Sequence, residues 1–346
     1  MRQKLLLTAI AVAMYGFTAA AQADDDTTIG GKMYADFSNI SQDKNGTTTD
    51  ADGLGFDVKR FYLVIDHKFD DMWSANLTTD FNYVSNDSET QLFVKKAYVQ
   101  AKFNDWFIVR GGSADMPWIP FVESWYGYRY IEPTITDRLK FANSADWGVH
   151  AQSVTSGMFN YAWSVVNGAG YKNPSRSSGM DWEGRVGFQP VSGLMFALGG
   201  YSGDRGLDVQ SAPSIHTASR WDAMAAYKGG PFRLGVEYFS ADNWNQVAKA
   251  ASDKSDGWSV FGSFNFSRDW AVFARYDKTN LSKDLDPTAK DSYYNAGVEW
   301  AVRKGIRISG VWKHDTAKSS PLDSNGNSVF TKLKTDEIGL YTEIGF

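Results

Sequence analysis

The chain contains no cysteine, which excludes a disulfide framework and any thiol chemistry. Past the N-terminus it has no run of about 18 or more apolar residues, so no helix is expected to span a membrane. Histidine is scarce: His67, His150, His216 and His314 stand far apart, and none has a second histidine or a cysteine at metal-ligand spacing. No metal and no cofactor are therefore expected. His150 has no accompanying serine nucleophile motif, and the chain is expected not to be an enzyme. A basic excess is also missing, since 35 Lys and Arg face 40 Asp and Glu for a formal net charge of −5. That balance argues against nucleic acid as a partner.

What the chain has instead is β composition: 32 Gly, 22 Phe, 17 Tyr and 13 Trp against 9 Pro, more aromatic surface than a single soluble core uses. Arg2 and Lys4 precede an apolar run from Leu5 to Ala21, then Ala21-Gln22-Ala23 and three aspartates. This pattern predicts a secretory signal peptide over 1–23, cleaved after Ala23. Residues 24–346 then form one domain, and an exported chain without a spanning helix is either soluble or a barrel.

Period-two alternation decides between them, because successive side chains of a strand point to opposite faces. In Trp73–Tyr83 the residues Trp73, Ala75, Leu77, Thr79, Phe81 and Tyr83 alternate with Ser74, Asn76, Thr78, Asp80 and Asn82. Sixteen such segments run from Gly30–Asn39 and Asp57–Phe69 to Lys332–Phe346, each about ten residues, the length of a tilted membrane strand. Connections alternate between short turns, such as Asn104-Asp105 and Arg268-Asp269, and long polar loops, such as Ile40–Phe56 and Asp242–Asp256. Six of the seven short turns are followed by an aromatic (Trp73, Trp106, Phe159, Phe196, Phe232, Trp270). The expected fold is all-β: an antiparallel up-and-down transmembrane barrel of about 16 strands with tight periplasmic turns and long outer loops.

The last segment puts Ile338, Leu340, Thr342, Ile344 and Phe346 on its apolar face and is expected to pair with the first strand, closing the barrel. This ending resembles the C-terminal strand of bacterial outer-membrane β-barrel proteins, where a terminal Phe belongs to the signal read by the barrel-assembly machinery. Lys95 breaks the pattern by sharing a face with Phe93, Ala97, Val99 and Phe103. A place at the outer end of its strand would make a lipid-facing charge cheap there.

The longest connection, 113–145, is expected to fold inward as a third outer loop that narrows the lumen, because a structureless loop of that length is either functional or a misassignment. Its charged candidates are Asp115, Glu123, Arg129, Glu132, Asp137, Arg138 and Lys140, facing Arg60, Lys96 and Arg110 on the wall. Its aromatic candidates are Trp118, Phe121, Trp125, Tyr126, Tyr128 and Tyr130, which could offer stacking surface to sugars. Packing outside against a neighbouring subunit is the alternative for this loop. Asp323-Ser-Asn325-Gly-Asn327 has a misplaced glycine for a calcium loop, with Lys334 where its glutamate belongs, so an Asx-type turn is expected.

Val58-Lys59-Arg60-Phe61-Tyr62-Leu63, Phe69-Asp70-Asp71-Met72-Trp73-Ser74, Lys96-Ala97-Tyr98-Val99, Val109-Arg110-Gly111-Gly112, Pro120-Phe121-Val122-Glu123 and Arg129-Tyr130-Ile131-Glu132 together resemble the porin O/P family of outer-membrane porins, which includes phosphate-selective members. The resemblance implies a sixteen-stranded homotrimer in the outer membrane, its third loop lining the constriction. The residues themselves show inward basic and acidic side chains in near balance. They predict a water-filled channel for small hydrophilic solutes and ions, of weak and mildly anionic selectivity. A phosphate- or anion-selective pore, a carbohydrate-preferring pore and a non-conducting barrel serving as adhesin or anchor remain the alternatives. Outer-membrane lipid and lipopolysaccharide are the expected surroundings.

Overall fold

The computed structural model describes residues 26–84, 89–174, 176–207, 216–321 and 329–346. The expected signal peptide and the segment Asp323–Asn327 lie outside them. The spanning strands are β1 (Thr27–Lys44), β2 (Gly53–Lys68), β3 (Trp73–Val84), β4 (Glu89–Asn104), β5 (Phe107–Asp115), β6 (Ala145–Gln152), β7 (Phe159–Val166) and β8 (Asp181–Val191). They continue with β9 (Leu194–Gly203), β10 (Ala218–Gly229), β11 (Phe232–Asp242), β12 (Lys254–Asn265), β13 (Trp270–Asn280), β14 (Lys290–Arg303), β15 (Ile306–Ser319) and β16 (Thr331–Gly345). A two-residue ladder, Thr47–Thr48, folds back on Asp43 and Lys44. Every neighbour pair is antiparallel, and β16 pairs with β1 from Lys32↔Gly345 to Lys44↔Leu333, so the sheet closes on itself. Phe346 completes the seam: its N–H donates to Gly31 at 3.1 Å and its carbonyl accepts from Gly31 at 2.9 Å.

Side chains sort as the alternation requires. Leu77, Val99, Val186, Leu198, Leu234, Val260 and Leu340 are exposed on the outer wall, while Asp80, Glu183, Asp222, Glu237 and Asp277 are buried on the inner one. Aromatic pairs bridge neighbouring strands near the short turns, as in Phe159–Phe188, Phe232–Phe264 and Trp270–Trp300, with ring centroids 5.0 to 5.8 Å apart. A second row follows the other rim: Trp182 on β8, Trp221 on β10, Tyr238 on β11, Trp258 on β12, Tyr276 on β13, Tyr294 on β14 and Trp312 on β15.

Two β-bulges correct the expected register. Where β2 meets β1, Arg60 stands opposite Tyr34 and Val58 opposite Ala35, which leaves Lys59 unpaired between them. Where β4 meets β3, Lys96 stands opposite Thr78 and Val94 opposite Thr79, leaving Lys95 over. A bulge re-aims its extra residue. Lys59 reaches Asp36 and Glu337, and Lys95 reaches Tyr62, all on the inner wall. Lys95 is thus not a lipid-facing charge, and Phe93, opposite buried Asp80, faces inward as well.

Part of the inner wall is apolar. Met195, Ala197, Met224, Ala226, Phe239, Phe261, Phe273 and Val311 form an apolar strip over the inner face of β9–β15. The segment after β5 covers it, with α1 (Ile119–Tyr126) and α2 (Ile135–Arg138) as its two short helices. Trp118, Phe121 and Val122 pack on Met195 and Met224, Tyr126, Tyr128 and Tyr130 on Phe261, Phe273 and Tyr341, and Ile135 and Phe141 on Phe239 and Trp244. Each large apolar side chain fully buried this way contributes roughly 1.5–3 kcal/mol.

Candidate pore constriction

Five strands hold this segment by its backbone. Arg185 donates from Nε to the Pro117 carbonyl at 3.0 Å, Arg233 to that of Tyr126 at 3.1 Å and Arg307 to that of Gly127 at 3.2 Å. Arg220 and Arg275 do the same for Phe141 and Pro133. The spacing behind this is i, i+2, which puts two strand residues on one face: Arg220 is neutralised by Asp222 at 2.9 Å and Arg275 by Asp277 at 2.6 Å. Guanidinium faces also stack on loop rings, Arg185 over Phe121 at 3.6 Å and Arg307 over Tyr130 at 4.5 Å. In the other direction Trp118 donates its backbone N–H to Glu183 and its indole N–H to Glu237, both at 2.9 Å, and Tyr130 donates its hydroxyl to Glu299 at 2.7 Å.

These contacts separate the basic residues of the inner wall into two groups. Arg185, Arg220, Arg275 and Lys313 are buried under the segment and do not face the lumen. The uncovered wall of β2–β5 carries the second group. Arg60 pairs with Asp80 at 2.9 Å and Lys96 with Asp115 at 3.0 Å. Arg110 donates to Gln100 at 2.9 Å and lies over the Tyr98 ring at 4.9 Å. Lys95 lies over the rings of Tyr62 and Tyr171 at 4.8 and 5.7 Å. Asp115 ends β5 rather than standing on the loop.

Across from that wall, Arg129 is clasped by Glu123 and by Asp137, the latter at 3.2 Å. Burial pushes the Glu123 carboxyl above its ordinary range; Arg129 opposes this and Asp137 reinforces it. Glu132 goes the other way: burial alone would raise it, but Lys313 at 3.2 Å, with Lys59 and Arg138, holds it below the usual range. Arg138 turns away from Arg60, Lys96 and Arg110 and reaches Asp277 at 3.4 Å, Asp315 at 3.2 Å and Asp291. With Glu132, Tyr293, Lys313 and Glu337 it bounds a cavity of about 280 Å³. Lys140 is exposed, with its own carbonyl accepting from the Trp244 indole at 2.8 Å.

The aromatic candidates do not face the lumen as free platforms. Trp118 is 0% exposed, Phe121, Tyr126, Tyr128 and Tyr130 are buried, and half-buried Trp125 packs on the cluster around Trp118. Stacking of sugars on these rings is therefore replaced by docking of the segment itself.

A closed barrel with a charged inner wall and one long segment held across it has the build of a channel, and the family match agrees: a profile of Gram-negative porins covers residues 7–320. The chain belongs to the Gram-negative porin family. The match is to that family as a whole and does not single out the O/P porins. Among curated proteins no sequence relative matches. Solved structures share the porin's fold at low identity. The anion-selective porin from Comamonas acidovorans superposes with a TM-score of 0.65 at 15% identity, covering 92% of this chain and 99% of the other. The outer membrane channel DcaP of Acinetobacter baumannii gives 0.66 at 12%, covering 94% and 99%. OmpT of Vibrio cholerae in its trimer form gives 0.57 at 12%, covering 93% and 100%. The porin is thus an outer-membrane channel for passive diffusion.

Sequence reasoning missed Lys59, Lys95 and the apolar strip. The dipeptides Lys59-Arg60 and Lys95-Lys96 were the available signal. Adjacent residues of a regular strand face opposite ways, so one charge of each pair would meet lipid at about 2–4 kcal/mol near the midplane unless a bulge intervened.

Proposed function

We propose that the porin is a general diffusion pore of weak anion preference, with the 113–145 segment as its constriction and the passage running between that segment and the β2–β5 wall. One observation carries the sign. Among the described residues, Lys95 and Arg110 have no carboxylate within 4.0 Å, whereas Glu123 and Asp137 converge on Arg129. Uncompensated cations at a narrow point favour anions, and the paired carboxylates keep the preference small. A reversal potential across a bilayer in a KCl gradient tests this: a modest anion preference is expected, reduced by Lys95→Gln with Arg110→Gln. Strong anion preference with block by micromolar phosphate would replace this reading with a phosphate-specific one.

Short turns face the periplasm in this reading and long loops the exterior. Three copies associate through the wall from β16 to β5 at and below the level of Ile338, which leaves the outer end of β16 at Lys332 clear of the contact. Trp and Tyr mark the lipid interface of barrels, and the outer aromatic row from Trp182 to Trp312 stops there. Ile338, Leu340, Phe37, Leu54, Phe56 and Leu92 take its place, all exposed in the single chain.

A further inference from the structure

On the outer surface, beyond the aromatic row, cross-strand register brings like charges together. Lys290 on β14 stands directly opposite Lys318 on β15, and Lys318 directly opposite Lys332 on β16. In the next row down, Lys278, Ser292, Thr316 and Lys334 are successive partners across β13 to β16. Alternation places all of them on the face of Tyr276, Tyr294 and Trp312. Every lysine in the two rows is exposed.

Like charges in directly opposed positions of a sheet destabilise it. Neighbouring carboxylates do not relieve this. Asp256 is engaged by Lys283 at 2.5 Å and Asn280 at 2.6 Å, and Asp336 by His314 at 2.6 Å and Lys334 at 3.0 Å. Asp286, in the adjoining loop, accepts from the backbone of Thr288 and Ser320. Among the described residues Lys278, Lys290, Lys318 and Lys332 have no carboxylate within 4.0 Å. Among the described residues no free carboxylate is left within that distance to supply the counter-charge.

We propose that this lysine ladder is a seat for a phosphorylated lipid headgroup of the outer leaflet. Position selects the occupant. Lys290 lies four residues beyond Tyr294, about 13 Å along the strand, which sets its ammonium in the headgroup layer just above the aromatic row. Lysine stems lie along the apolar wall while their charged ends reach the phosphates. Lys290, Lys318 and Lys332 supply three donors to one diphosphorylated headgroup, and the hydroxyls of Ser292 and Thr316 lie in the row beneath.

The seat depends on the orientation proposed above, but its chemistry is measured in detergent, where orientation plays no part. Fluorescent lipid A, in its bis-phosphorylated and enzymatically dephosphorylated forms, is titrated against the purified wild type and the Lys290→Gln, Lys318→Gln, Lys332→Gln triple variant. Wild type should prefer the phosphorylated form by about five-fold per lysine engaged, and the triple variant should lose that preference while single-channel conductance stays unchanged. Inorganic phosphate at matched concentration should not displace the lipid. A triple variant that still discriminates, or lipid A displaced equally well by inorganic phosphate, would overturn the seat. Should the triple variant fail to assemble, Lys318→Gln alone, with a lysine on either side, must weaken binding by about five-fold; unchanged binding refutes the proposal as well.

Discussion

The Arg233 guanidinium occupies the space that a side chain on Gly127 would fill, and that glycine, at φ 80°, closes helix α1 in the left-handed region. Gly127→Ala is therefore strained in its backbone and collides with a residue that holds the segment. Alanine at positive φ costs more than about 1 kcal/mol. The variant should assemble, melt at lower temperature and show higher or noisier single-channel conductance; wild-type traces would show that the segment does not narrow the passage.

Trp118 is fully buried and its indole N–H is bonded to Glu237. Trp118→Phe keeps most of the apolar contact and leaves a buried carboxylate oxygen without that donor, a cost of about 1–3 kcal/mol. Trp118→Ala also opens a cavity, and about 3–5 kcal/mol is expected. Heat-induced unfolding of the purified porin should rank wild type above Phe above Ala.

Acidification should raise anion preference in a step belonging to Glu123. Its raised pKa means that the protonated form is favoured relative to an ordinary glutamate. Above that pKa the carboxylate offsets Arg129, and as pH falls through it the carboxylate neutralises and leaves Asp137 alone to offset the guanidinium. Reversal potentials measured against pH should show the step in wild type. Glu123→Gln should lack it and hold the more anionic value at every pH.

Removing Phe346 takes away the two hydrogen bonds to Gly31 that complete the seam, together with the ring lying 6.1 Å from that of Phe61. Export should be unaffected while assembled, heat-resistant barrel falls. Equal amounts of assembled barrel in the deletion and the wild type would deny this residue a part in assembly.

Much of the fold was legible because a membrane strand must show lipid one face only, which writes a period of two into segments such as Trp73–Tyr83. Closure was legible in the amphipathic run to Phe346. Strand ends were not: β1 runs to Lys44, five residues past Asn39, since above the membrane both faces meet water and alternation lapses. Within the site, Lys96 and Arg110 could be placed by phase, whereas Lys59 and Lys95 could not, because a bulge shifts parity by one without changing composition. The inward phenylalanines 239, 261 and 273 were missed, because what they pack on is a segment roughly a hundred or more residues earlier in the chain.

All five arginine clamps grip carbonyl oxygens, groups that every residue type possesses. Nothing in those five bonds reads the side chains of Glu123, Arg129 or Asp137. The wall fixes where the segment lies, and the segment's own residues determine what charge it presents. Substitution at these three positions can therefore retune the passage without undoing the clamps, which makes the constriction an exchangeable part on a fixed mount.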